Sequence, residues 1–163
     1  MKKKYLVGLV LLGSLGASAT LLGTHVKADT VPELLAQAEP EPTCVDLQEV
    51  TTGQTQIRKQ IRPGFLGPGN INVDFSVPST QEFEFYEVTF MPENDANYRV
   101  AINFRYPDGS QSNVWSGSGD AQGGETYSRQ FRSPTGEQPF LINTSVAGER
   151  NIAYTISVSA CVD

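Results

Sequence analysis

Apolar and polar residues alternate along four stretches of the chain, at residues 71–77, 98–106, 140–146 and 152–160. Apolar side chains at every second position are typical of a strand with one face buried and the other in water. No stretch after residue 28 shows a 3.6-residue period over three turns. The pattern therefore predicts an all-β domain.

A fifth apolar stretch, residues 82–90, changes parity within itself. Phe83 and Phe85 occupy odd positions, whereas the apolar residues of 86–90 occupy even ones. A shift of one residue inside a strand indicates a β-bulge or a bend between two sheets.

Turn-forming clusters rich in Gly, Pro, Asp and Ser separate the apolar stretches. They lie at residues 63–64, 67–70, 107–110, 116–120 and 134–136. Short strands with frequent turns are typical of antiparallel sandwiches. The sequence predicts a β-sandwich of seven to eight strands over residues 44–163.

Several short motifs resemble the bacterial pre-peptidase C-terminal domain over about residues 50–160. They are VDFSVP at 73–78, YPDGS at 106–110, PTG at 134–136, PFLIN at 139–143 and YTISV at 154–158. The resemblance implies a jelly-roll-like sandwich that serves as a non-catalytic module for binding, secretion or processing in exported proteins. The two cysteines, Cys44 and Cys161, are not part of the usual family pattern.

The N-terminal segment has the layout of a secretory signal peptide. Lys2–Lys4 precede an apolar run at residues 5–23, and small residues then allow cleavage after Ala28, which makes Asp29 the new N-terminus. Two other cleavage sites fit, Ala19 and Ala38. An uncleaved membrane anchor is the alternative, but its Gly and Ser residues favour cleavage, after which no membrane span remains. Residues 29–43 are acidic and proline-containing, and predict a flexible linker.

Cleavage after Ala28 changes which partners and chemistries are available. It removes four of the 12 basic residues and none of the 18 acidic ones, which takes the formal net charge from −6 to −10. Such a domain is a poor match for a phosphate backbone, so nucleic acid is excluded as a partner. His25, the only histidine, is also lost. Catalytic triads and metal sites that need an imidazole are therefore excluded.

Cys44 and Cys161 lie at the two ends of the predicted domain. In an exported protein such a pair predicts one disulfide that joins the first strand to the last. Two separately buried thiols are the alternative.

Glu82, Glu84 and Glu87 form the densest carboxylate group in the sequence. A pair of carboxylates about 5–10 Å apart is the acid/base arrangement of glycoside hydrolases. Alternation favours a solvated outer face instead, because it turns Phe83 and Phe85 inward. A carboxylate-based carbohydrate hydrolase is accordingly the alternative function.

Asp95, Asp108 and Asp120 are weak candidates for calcium ligands, since loops of exported sandwiches can hold this hard cation. Their spacing fits no EF-hand, and Asp is also common in turns because it caps them. No other cofactor or metal is indicated.

Trp115, the only tryptophan, lies in a Ser/Gly-rich stretch that predicts an exposed loop. An indole there could contact a sugar ring or a partner side chain, or could instead cover the end of the core. The polar strand positions also carry arginines that could pair with the surplus carboxylates, namely Arg99, Arg105, Arg129 and Arg132.

These observations predict an exported, non-catalytic module, periplasmic or extracellular, which binds a polysaccharide or a protein partner at the cell envelope. A purely structural envelope protein is not separated from this prediction by the sequence.

Overall fold

The computed structural model describes residues 41–62 and 70–163. The predicted signal peptide, its three cleavage sites and most of the linker lie outside these residues, as do the turn clusters between residues 63 and 69. Within the described residues no helix is long and apolar enough to cross a membrane.

Within the described ranges, ten strands form two antiparallel five-stranded sheets, which confirms the all-β sandwich. The strands are β1 (Thr43–Asp46), β2 (Gln48–Glu49), β3 (Gln56–Gln60), β4 (Asn70–Ser76), β5 (Phe85–Pro92), β6 (Ala96–Arg105), β7 (Gln111–Ala121), β8 (Tyr127–Phe131), β9 (Leu141–Gly148) and β10 (Ala153–Val162). The count exceeds the predicted seven to eight because residues 43–60 contain three short strands, whose length leaves little periodic signal.

The first sheet has the order β1-β10-β5-β8, and β3 pairs with β10 beyond the end of β1. The second sheet has the order β2-β4-β9-β6-β7. Inward side chains of both sheets form one hydrophobic core. Its largest fully buried side chains include three tyrosines and two phenylalanines, namely Tyr86, Tyr106, Tyr154, Phe75 and Phe104.

The disulfide prediction is confirmed. Cys44 of β1 and Cys161 of β10 are direct cross-strand partners and are bonded through their sulfurs, at a sequence separation of 117. The bond therefore joins the two ends of the domain.

The predicted bulge or bend in residues 82–90 is wrong. β5 begins only at Phe85 and pairs with both neighbours without a register shift. Phe85 is instead an outward residue that is buried on the outer face of the sheet. It pairs with Cys161, and the guanidinium of Arg132 lies 5.4 Å from its ring centre. Two successive residues, Phe85 and Tyr86, are therefore buried without a change of register, because Tyr86 faces the core and Phe85 is covered on the outer face.

Two core tyrosines bury their hydroxyl groups without a hydrogen-bond partner in the described part of the chain, Tyr86 and Tyr154. Burial raises the pKa of both phenols well above the usual value. An unsatisfied buried hydroxyl costs stability, because it has lost its hydrogen bonds to water.

Tyr154→Phe is therefore expected to raise the free energy of unfolding by about 1 kcal/mol, measured by urea denaturation. Tyr98→Phe is the matched control, since its hydroxyl donates to the carbonyl oxygen of Ala153 at 3.2 Å. The control should lower the free energy of unfolding. A destabilised Tyr154→Phe would contradict the prediction.

Candidate functional site

A cleft of about 370 Å³ opens between β7 and β8, the strands that end the two sheets on one side of the sandwich. This volume lies within the range of about 300–1,000 Å³ that small-ligand sites occupy. The floor is formed by core residues of β5 and β6, and the walls are formed by inward residues of the two edge strands. The cleft is thus continuous with the hydrophobic core.

Two glycines on the inner face of β7 keep the cleft open. Gly117 pairs with Val100 and Gly119 with Tyr98, both of which are core residues of β6. At these two inward positions, which would carry large side chains in a closed core, β7 therefore has no side chain. The result is a slot above β6 instead of a closed core.

Trp115 forms one wall of the slot, and its predicted position on a loop is wrong. It lies within β7, pairs with the core residue Ile102, and is half-buried. Its indole extends along the strand over Gly117, where an added Cβ would lie 2.5 Å from the indole atom Cζ2. Glycine at position 117 is therefore required for this indole position.

Two residues of β8 complete the cleft from the opposite sheet. Arg129 pairs with Val88 and Tyr127 with Phe90, so both occupy positions that face inward. The guanidinium of Arg129 lies 5.4 Å from the ring centre of Trp115, which is within cation–π distance. The Tyr127 side chain is 42% exposed, and its hydroxyl accepts a hydrogen bond from the backbone N–H of Gln122 at 3.0 Å.

The cleft therefore combines an indole, a phenol and a guanidinium around an apolar floor. Aromatic rings bind the apolar face of a flat ligand, and the guanidinium supplies hydrogen-bond donors beside it. Trp115 is a contact residue predicted from the sequence, whereas the inward position of Arg129 was not predicted and Tyr127 was not a candidate. Their inward positions follow from the pairing with β5, which alternation within β8 alone does not reveal.

None of the three candidate glutamates lines the cleft. Glu84 pairs with Arg132 at 3.4 Å, and Glu87 accepts a hydrogen bond from the Gln130 side chain at 3.2 Å. Glu82 is exposed. The three carboxylates accordingly give the cleft no acid/base pair, and the hydrolase alternative loses the geometry on which it depended.

The three candidate calcium ligands each make a local structural contact instead of converging. Asp95 accepts a hydrogen bond from the backbone N–H of Gly123 at 2.7 Å. Asp108 accepts one from the backbone N–H of Ser110 at 2.8 Å. Asp120 accepts one from the side-chain amide of Asn97 at 3.0 Å. The Ser110 hydrogen bonds lower the pKa of Asp108. Across residues 41–62 and 70–163, no three His, Cys, Asp or Glu side chains are grouped to hold a metal.

The arginines differ in their partners. Arg132 pairs with Glu84 and also with Asp163, at 2.9 Å. A further pair, between Arg58 and Glu93 at 2.6 Å, was not predicted. Arg99 and Arg105 are exposed on strand β6.

Neither a family model nor a curated protein matches this sequence, so the resemblance to the pre-peptidase C-terminal domain stays a prediction. Among solved structures, a family 29 carbohydrate-binding module from Piromyces equi is 7% identical with a TM-score of 0.42, and the match covers 76% of this chain and 93% of that chain. PirA is 13% identical with a TM-score of 0.39, covering 66% and 94%. TmCBM61 in complex with β-1,4-galactotriose is 12% identical with a TM-score of 0.38, covering 74% and 81%. Likeness at this level assigns no ligand to this chain.

Proposed function

We propose that this protein is an exported, non-catalytic module that binds a polysaccharide in the cleft between β7 and β8. The observation that carries the proposal is the position of Trp115, which lies over Gly117 with its ring at an open slot. The Cys44–Cys161 bond supports export to the periplasm or the exterior, because disulfides persist in oxidising compartments.

A sugar ring matches this slot better than an extended peptide does. One face of a pyranose is apolar and stacks on an aromatic ring, while its hydroxyl groups project sideways to polar neighbours. Arg129 lines the slot and provides such a polar group. The mature domain carries a surplus of acidic residues, which favours a neutral glycan over an anionic one.

The experiment is a binding screen of neutral insoluble and soluble polysaccharides with the mature protein, followed by calorimetry on any ligand found. Trp115→Ala is expected to weaken binding by about 2 kcal/mol, roughly 30-fold in Kd, because it removes the ring on which the sugar stacks. Tyr127→Ala should also weaken binding, since the phenol lies at the mouth of the slot.

Phe140→Ala is the matched control. Phe140 is 48% exposed and is not one of the residues that line the cleft. Its removal should leave Kd unchanged. Binding that survives Trp115→Ala and Tyr127→Ala would place the ligand elsewhere, and failure of every polysaccharide to bind would overturn the proposal.

A further inference from the structure

β7 is one residue longer than the strand with which it pairs. Its 11 residues lie opposite the 10 residues of β6. Asn113 pairs with Asn103, whereas Trp115 pairs with Ile102, the next residue of β6. Val114 is therefore the extra residue of a β-bulge.

Both ends of β7 are fixed, so the extra residue has to be accommodated between them. At the first end, a tight turn connects β6 to β7, in which Gly109 N–H donates to the Tyr106 carbonyl oxygen at 2.9 Å. At the far end, Gly123 N–H donates to Asp95 and Gly124 N–H donates to the Pro92 carbonyl oxygen at 2.8 Å. The bulge can move along the strand but cannot be removed.

The position of the bulge decides which face of the sheet carries Trp115. Successive strand residues point to opposite faces of the sheet. A bulge therefore reverses the face to which every residue beyond it points. With the bulge at Val114, the indole points into the cleft. With the bulge beyond residue 115, at Gly117 or Gly119, the indole would point to the outer face. Glycine tolerates bulge conformations well, so this alternative is accessible to the backbone.

A row of polar side chains crosses the outer face of the same sheet and ends at the bulge. Asn143 Nδ2 donates to Asp74 Oδ1 at 2.6 Å, and Asn103 Nδ2 donates to Asn143 Oδ1 at 3.2 Å. Asn113 Nδ2 then donates to Asn103 Oδ1 at 2.9 Å. Because an ionised carboxylate only accepts hydrogen bonds, Asp74 sets the direction of the row. One N–H of the last amide, on Asn113, is used in this row, and its second N–H is left for the bulge.

The same Asn113 nitrogen lies 3.2 Å from the carbonyl oxygen of Trp115 and 3.4 Å from that of Ile102. Ile102 and Trp115 are paired with each other directly beyond the irregular step, whereas Asn113 lies directly before it. The Asn113 amide therefore reaches across the step to the first regular pair beyond the bulge. We propose that Asn113 is a positioning residue, which holds the bulge at Val114 and thereby turns Trp115 into the cleft. The effect on ligand binding rests on the proposed function, but the effect on the indole does not.

The test compares a single variant, Asn113→Ala, with a double variant that carries Asn113→Ala and also lacks Val114. The readout is the fluorescence of Trp115, the sole tryptophan. Asn113→Ala should shift the emission to longer wavelength and increase acrylamide quenching, because the bulge moves and the indole leaves the cleft. Deletion of Val114 in the same chain gives two strands of equal length, so no bulge is needed. It should restore the emission and the quenching of the wild type.

Asn72→Ala is the matched control, since Asn72 lies on the same outer face but outside the row. It should change neither signal. Unchanged fluorescence in Asn113→Ala, or failure of the deletion to restore it, would overturn the inference. If Asn113→Ala does not fold, Asn113→Asp decides, because a carboxylate of nearly the same shape cannot donate to the two carbonyls. Asn113→Asp should expose the indole, and a shielded indole contradicts the proposal. Absence of any glycan ligand would refute the proposed function and leave these outcomes intact.

Discussion

Reduction of the Cys44–Cys161 bond should lower the melting temperature of the domain by about 10 °C or more. The two cysteines have a sequence separation of 117. Closing so long a loop restricts the unfolded chain and stabilises the folded state by about 4–5 kcal/mol in the chain-entropy model. No other crosslink in the described residues shares this role.

The folded structure should change little on reduction. β1 has only four residues, all of them exposed, so its release uncovers little of the core. Thermal melting followed by circular dichroism, with and without reductant, measures the effect, and the strand signal at low temperature should persist. Cys44→Ser should melt like the reduced wild type and should not respond to reductant. Identical melting curves for the oxidised and reduced wild type would contradict the prediction.

Glu49 is expected to make the stability of the domain strongly dependent on pH in the acid range. Its side chain is buried and accepts hydrogen bonds from the Thr52 N–H at 2.8 Å and the Thr52 hydroxyl at 2.7 Å. Burial raises the pKa of this carboxyl, but the hydrogen bonds from Thr52 and Thr51 outweigh burial and lower it from 4.5 to about 2. The ionised carboxylate thus stabilises the turn that follows β2.

A lowered pKa stabilises the fold above the unfolded value of 4.5, and this stabilisation is lost as the pH falls to about 2. Glu49→Gln should accordingly lower the free energy of unfolding at pH 7 by about 3 kcal/mol. The difference between wild type and variant should shrink between pH 4.5 and pH 2, as measured by urea denaturation. Glu82→Gln, at an exposed position, should have little effect. A difference that stays constant with pH would be incompatible with this role.

The buried strands could be predicted from the sequence because each has its apolar residues on one face. The alternation over residues 71–77 and 98–106 matches β4 and β6, whose inward residues are buried. The disulfide was equally predictable, because two cysteines can form only one intramolecular disulfide. Neither prediction required knowledge of which strands are neighbours.

The cleft could not be predicted in this way, because its residues depend on pairing between distant strands. A strand at the edge of a sheet needs few apolar residues, so the Ser/Gly-rich sequence of β7 resembles a loop. Arg129 occupies an inward position only because it pairs with Val88. The bulge at Val114 is set by the amide of Asn113, which acts across the ladder and leaves no periodic signal.

The covalent link between β1 and β10 also determines how the domain responds to tension. Cys44 and Cys161 lie close to the two ends of the described domain, since Thr43 pairs with Val162. A pull between these ends passes through the sulfur–sulfur bond and never loads the hydrogen bonds of the other strands. While oxidised, the module is mechanically inextensible from end to end, and only a reductant would let an applied force unfold it.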